Sequence, residues 1–200
     1  MSVDRSFCLS GTGTEVRNRK TSQCAKIATI AVLVLSWPIA AAADVSLATA
    51  VKAAYLSKFA PFVTWPTGTD GSSVFTICIV GADPFGASLN AAFAGLAIDG
   101  KPYQVVHVDT VGPNSTCKIA YLGGSPKQTV ASALEAVRGT PMLTVTDEGT
   151  PAGIISFKMH AGKVRFRIDN VAADANGLVL SSKLLGLALS VKTDQGVIEP

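Results

Sequence analysis

The sequence predicts an α/β fold: a single domain on a mixed, mostly parallel sheet, with helices packed on its faces and a C-terminal β-hairpin plus helix. Three observations predict it. Residues 74–80, 117–122 and 142–146 are short, almost unbroken apolar runs, the pattern of strands buried on both faces. Helical segments alternate with strands, in the order strand, helix, strand, strand, helix, strand. The 200-residue chain shows no internal repeat, and its Gly/Pro clusters are single turns too short to divide it. Hydrophobic residues make up 48% and charged residues 16%, which excludes wholesale disorder.

Taken in order, residues 44–65 read as one helix. Val51, Tyr55, Phe59, Phe62 and Val63 recur at helical spacing on one face, Lys52 and Lys58 lie off it, and Pro61 bends or ends it. A turn-rich loop, residues 65–71, leads to the first buried strand. Asp83 and Pro84 then supply an N-cap and a first helical residue for a helix running to about Ala94. Residues 103–108 alternate as a strand. Ser125 caps a helix over residues 126–137. Residues 154–159 and 164–168 form a hairpin around the turn His160, Ala161, Gly162 and Lys163. Residues 171–189 read as a short helix, a turn at Gly177, an extended piece and a helix from about Ser181.

The N-terminus reads as an export signal. Arg17, Arg19, Lys20 and Lys26 precede an apolar run over residues 27–35, and Ala41 and Ala43 present small side chains to a signal peptidase. Cleavage is expected between Ala43 and Asp44, leaving 44–200 as the mature domain. An uncleaved anchor is the competing reading, but the apolar stretch is shorter than the about 20 residues a spanning helix needs, and Pro38 interrupts it. Residues 1–16 make the leader long, through an extended n-region or an early start. Residues 1–43 hold five basic and two acidic side chains, so the mature part balances at twelve of each. A neutral body gives no electrostatic case for nucleic acid. Cys8 and Cys24 leave with the leader; the remaining pair, Cys78 and Cys117, is expected to bond in an oxidising compartment.

Little catalytic chemistry is visible. The histidines, His107 and His160, have no companion ligands at metal-binding spacing, and no cofactor motif is present. His107 and Asp109 share one strand face and are the only suggestive acid–base pair. Residues 123–129 lack the spacing and the Gly-Lys-Ser/Thr ending of a phosphate loop. Ser181, Ser182 and Lys183 are explained by a helix cap rather than a nucleophile pair. Arg165 and Arg167 lie on the strand face opposite Val164, Phe166 and Ile168: either a solvated sheet face or a partner contact. Tyr55, Phe59, Phe62 and Trp65 form an aromatic stripe, either core or an exposed partner surface.

The stretch Val51-Lys52-Ala53-Ala54-Tyr55-Leu56-Ser57-Lys58-Phe59-Ala60-Pro61-Phe62-Val63-Thr64-Trp65-Pro66 resembles the opening helix of the YfiR family. In order along the chain, the strand ending Gly81-Ala82-Asp83-Pro84-Phe85-Gly86, the strand Cys117-Lys118-Ile119-Ala120-Tyr121-Leu122, the hairpin with Val164-Arg165-Phe166-Arg167-Ile168-Asp169, and Gly177-Leu178-Val179-Leu180-Ser181-Ser182-Lys183-Leu184-Leu185 are similar to that family's motifs. The resemblance implies a periplasmic regulator rather than an enzyme. It implies a protein that restrains an inner-membrane diguanylate cyclase by binding its periplasmic sensor part, that forms a homodimer, and that is not held in the membrane after cleavage. It also places Cys78 and Cys117 on one of the family's disulfides, while a second, expected after residues 144–146, has no cysteines here. The family's F-E-I-N hairpin motif reads Phe166-Arg167-Ile168-Asp169, a reversed charge, and Ser156 stands where asparagine is common. Two other readings stay open on the sequence: a small-ligand-binding or hydrolytic periplasmic protein using His107 and Asp109, and a sensor subunit for a histidine kinase or transporter.

Overall fold

The computed structural model describes residues 46–68 and 72–200. The leader, its Ala43/Asp44 cleavage point and part of the loop before the first buried strand lie outside them. No helix among the described residues is long and apolar enough to cross a membrane.

Ser46 starts α1 (Leu47–Phe59): its hydroxyl accepts from the Thr49 N–H at 3.2 Å, satisfying one of the free donors of the first turn. The helix is shorter than its hydrophobic pattern suggests. Pro61 opens a 3-10 turn (Ala60–Phe62), and the chain is extended again by β1 (Val63–Thr64). The buried stripe is centred on Ala53, Leu56 and Phe59, with Val51 and Tyr55 on its flank.

The strands are β2 (Phe75–Gly81), β3 (Ala97–Ile98), β4 (Lys101–Val108), β5 (Ile119–Gly124), β6 (Leu143–Thr146), β7 (Ile155–His160), β8 (Lys163–Asp169), β9 (Val179–Leu180), β10 (Ser190–Thr193) and β11 (Gly196–Ile198). Nine of them form one sheet in the order β11-β10-β8-β7-β6-β5-β2-β4-β3, while β1 and β9 pair apart as a two-stranded clasp. The pairs β2–β4, β2–β5, β5–β6, β6–β7 and β8–β10 are parallel; β3–β4, β7–β8 and β10–β11 are antiparallel. The mixed, mostly parallel sheet expected from the sequence is therefore present. The edge hairpin β3–β4 and the terminal hairpin β10–β11 are additions that the hydrophobic pattern did not mark.

The helices are α2 (Ala87–Phe93), α3 (Val130–Ala136), α4 (Asn170–Ala175) and α5 (Ser182–Leu185). Two start later than their caps suggested. Asp83 Oδ1 accepts from the N–H groups of Phe85 and Gly86, at 2.7 and 3.3 Å, making a tight turn that carries the Phe85 side chain into the core before α2 begins. Ser125 likewise closes a turn by accepting from Lys127 and Gln128, and the Gln128 side chain is drawn onto the backbone of Val111. The cap of α3 is then Thr129. Ser181 caps α5 as expected, accepting from the Leu184 N–H.

The sheet is covered unequally. On one face the larger apolar cluster joins α1 and α2 to Phe75, Ile77 and Ile79 of β2, Ile119 and Tyr121 of β5, and Phe157 and Phe166 of the hairpin. On the other face α3 supplies Val130 and Ala133, which pack with Cys78, Val80, Ala120 and Leu122. Strands β2 and β5 are thus buried on both sides, as their unbroken apolar runs require. Strands β7 and β8 bury only one side, and their sequences alternate accordingly.

Cys78 and Cys117 are disulfide-bonded with their Cα atoms 5.7 Å apart, tying β2 to the lead-in of β5. At the opposite end of the same strand pair the backbones nearly touch. A Cβ at Gly81 would stand 1.9 Å from the Gly124 oxygen, and one at Gly123 would stand 2.0 Å from the Ala82 oxygen. Gly123→Ala is therefore expected to cost about 1–3 kcal/mol. Gly112→Ala, whose Cβ would meet open space, should stay within about 0.5 kcal/mol of the parent. Urea midpoints of the two variants check this; equal midpoints would show that the strand tips can part. Reducing the disulfide, which spans 39 positions, should lower stability by up to about 4 kcal/mol in the chain-entropy account. Urea unfolding with and without reductant measures that loss.

Candidate functional site

Open parallel sheets commonly hold ligands beyond the C-terminal ends of their strands, where the crossovers diverge to opposite faces. Here that point lies between β2 and β5, and it is filled. The Ala82 N–H donates to the Gly124 oxygen at 2.9 Å, linking the two strand tips. Phe85, fully buried, sets its ring against Tyr121 with centroids 4.6 Å apart. Lys52 reaches from α1 to both oxygens of Asp147, at 2.7 and 2.6 Å, and so cannot be counted as a free surface lysine. The Tyr121 hydroxyl donates to Asp147 Oδ2 at 3.5 Å; burial, with the Asp147 charge beside it, pushes its pKa well above the ordinary tyrosine value.

The acid–base pair suggested by the sequence is taken apart. His107 Nε2 lies 2.9 Å from Asp83 Oδ2, while Asp109 pairs with Lys127 across an exposed turn. His160 sits at the tip of the β7–β8 hairpin. Asp83 already accepts two backbone N–H groups through its other oxygen, so the His107 contact extends a structural turn. No group of three or more metal-binding side chains occurs among the described residues.

The aromatic stripe of α1 faces inward. Phe59 is 1% exposed and stacks with Tyr55, Phe157 and Phe166 at centroid distances of 5.4–6.2 Å. Tyr55 is half-buried against the same rings, and Trp65 packs edge-on against Phe75 at 5.2 Å. For Phe59 the expectation of an exposed partner surface is overturned: its ring fills the space between α1 and the β7–β8 hairpin. Tyr55 and Trp65 retain only a minor exposed fraction.

Arg165 and Arg167 point to the other side of β8, where no helix covers the sheet. They are not equivalent. Arg165 donates to the Leu187 carbonyl at 3.3 Å and ties β8 to the segment entering β10. Arg167 is exposed and has no ion-pair or hydrogen-bond partner among the described residues. Register places Ser156 of β7 and Ser190 of β10 directly on either side of it. Both serines are buried, at 6% and 7% exposure. Ser156 bonds Thr146 at 3.0 Å, and Thr146 in turn accepts from the Gly153 N–H. A cleft of about 370 Å³ runs along this row, flanked by Lys158, Asp169 and Lys192. Lys158 lies 3.5 Å from Glu148 and Lys192 2.8 Å from Asp169, so Arg167 is the cation of this cleft with no ion pair among the described residues.

Sequence reasoning picked out Arg167 from strand alternation. It missed Ser190 and Lys192, because they reach the row through the parallel pairing of β8 with β10, separated in sequence by two helices with the clasp strand between them. No local pattern carries that register.

A sequence model of one protein family, described as YfiR/HmsC-like, matches residues 49–189. No curated protein matches the chain. The matched span runs from the first turn of α1 to the residue before β10, taking in the aromatic helix, the Phe85 turn, both cysteines and the β7–β8 hairpin. With that span covering most of the sequence, the chain belongs to the YfiR/HmsC-like family, and it shares the family's general role as a periplasmic regulator.

Proposed function

We propose that the protein restrains an inner-membrane diguanylate cyclase by binding the cyclase's periplasmic sensor part, acting by contact rather than by catalysis. The family match over residues 49–189 is the observation that carries this reading. Two features support it. The crevice where an α/β fold would seat a small substrate is filled by Phe85 and bridged by backbone. The sheet face around Arg167 is rigid, uncovered and polar, which suits a protein partner.

The mechanism is a shift of population. A regulator that binds the inactive form of the sensor more tightly than the active form holds the cyclase off, by no more than that difference in affinity. A hundredfold preference corresponds to about 2.7 kcal/mol. Release comes from any signal that weakens the preferred contact. The regulator works outside the inner membrane after the leader is removed between Ala43 and Asp44, and it works as a homodimer.

Deleting the gene should raise cellular cyclic di-GMP, and supplying the intact chain should bring it back down; an unchanged nucleotide level would remove the cyclase from this account. The periplasmic form should begin at Asp44 by N-terminal sequencing. A chain recovered with residues 1–43 attached would overturn the cleavage.

A further inference from the structure

We infer that the row Ser156–Arg167–Ser190 is a carboxylate-recognition site, built to take an aspartate or glutamate side chain of a bound protein partner. The inference rests on the regulatory reading above and names the chemistry of its contact surface.

Arg167 sits in the middle of three adjacent strands, not at a mobile edge. Its Cα is paired with Ser156 on one side and Ser190 on the other. Neighbouring strands are about 4.8 Å apart, so the two hydroxyls flank the arginine stem, one on each side, and each can donate to an anion held over its own side of the row. Strands fix the backbone positions of all three residues.

The hydrogen-bond inventory is incomplete in the sense a ligand would complete. Ser190, 7% exposed, lines the cleft and makes no side-chain hydrogen bond among the described residues. Its hydroxyl is open to the cleft and free to donate to a ligand there. Ser156 shares one hydrogen bond with Thr146; when Thr146 donates, the Ser156 proton is left pointing to the cleft. The five N–H donors of Arg167 have no acceptor among the described residues. The row thus offers donors to a ligand, beside the carboxylate of Glu199 that also lines the cleft.

Charge selects the ligand. Lys158 and Lys192 are held by Glu148 and Asp169, and Glu199 lines the cleft without pairing to Arg167. A guanidinium between hydroxyls binds a carboxylate through two parallel N–H···O bonds, a planar match that a lysine at the same position does not provide. The cleft is shallow and lies on a sheet face, so it takes a side chain from an opposing protein surface rather than an enclosed small molecule.

The test is an NMR titration of the folded, disulfide-bonded protein, following the Arg167 Nε–H signal. The probes are an acetylated Asp-Glu-Asp amide, its neutral Asn-Gln-Asn counterpart, and inorganic phosphate. The acidic peptide should shift the Arg167 signal in a salt-sensitive way while the neutral one does not. Arg167→Gln, and to a smaller degree Arg167→Lys, should weaken acidic-peptide binding, by about tenfold for the glutamine variant. Lys163→Gln, on the same hairpin but off the row, should leave it unchanged. Equal loss in both glutamine variants, no shift with the acidic peptide, or an equal response to phosphate overturns the inference. In cells, Arg167→Gln should fail to restore the nucleotide level that the intact chain restores. If it restores it fully, carboxylate recognition falls while the regulatory reading stands. If deletion itself changes nothing, the cyclase reading falls and the peptide titration still decides this one.

Discussion

The close approach of β2 and β5 governs the molecule. At one end of this central pair a disulfide joins Cys78 to Cys117. At the other, Gly81 and Gly123 let two backbones meet at distances that no side chain tolerates. Between these ends the strands bury apolar residues on both faces, against α1 and α2 on one side and α3 on the other. The remaining strands extend outward from this fixed pair in both directions. Because the tips are bridged through Ala82 and Gly124, and Phe85 folds down beside Tyr121, the sheet gives up the crevice in which related architectures hold substrates. The same glycines that let the two strand tips close put backbone where such a crevice would open.

The open part of the sheet lies to one side of this pair. Beyond β6 the sheet includes the antiparallel pair β7–β8, and an antiparallel strand can leave one face in water. The threonines of β6 mark the transition: Thr144 and Thr146 accept the N–H groups of Ile154 and Gly153, holding the turn into β7 without apolar cover. Strands β7 and β8 then present a flat face of alternating polar side chains whose backs are fixed in the larger core by Phe157 and Phe166. Such a face is stiff, open and chemically addressable, the properties a regulator needs if it is to recognise one state of a partner and reject another.

Where the physics is local, the fold was legible in the sequence. Unbroken apolar runs identified β2, β5 and β6, and alternation identified β8 and its two faces. Ala161 and Gly162, both at positive φ, form the tight turn foreseen for the hairpin. Competition among nearby hydrogen bonds defeated the helix starts: Asp83 and Ser125 were good caps in composition, but each was spent on a turn that a buried Phe85 or a bonded Gln128 required. The aromatic stripe was ambiguous for a different reason. Spacing shows that Tyr55 and Phe59 share a face but not what packs against it, and the answer came from a hairpin about a hundred residues away. The candidate site was half legible. Arg167 could be assigned to a face, but its serine neighbours depend on long-range register.

The disulfide and the cationic row have separate physical duties. Cys78 and Cys117 are almost fully buried, at 1% and 7% exposure, and lie beneath α3 in the smaller cluster. Thiol–disulfide exchange needs a thiolate to reach a sulfur, so burial slows it. The bridge staples β2 to the lead-in of β5. The row lies on the other side of β6, on strands held to that pair through backbone ladders. A change at Arg167 alters charge on an exposed face and leaves both apolar clusters intact, whereas loss of the bridge weakens the centre of the sheet and leaves the row's chemistry untouched. On the proposed reading, stability and recognition reside in different halves of one sheet, and a signal that releases the partner has only to compete for the face around Arg167 without loosening the core.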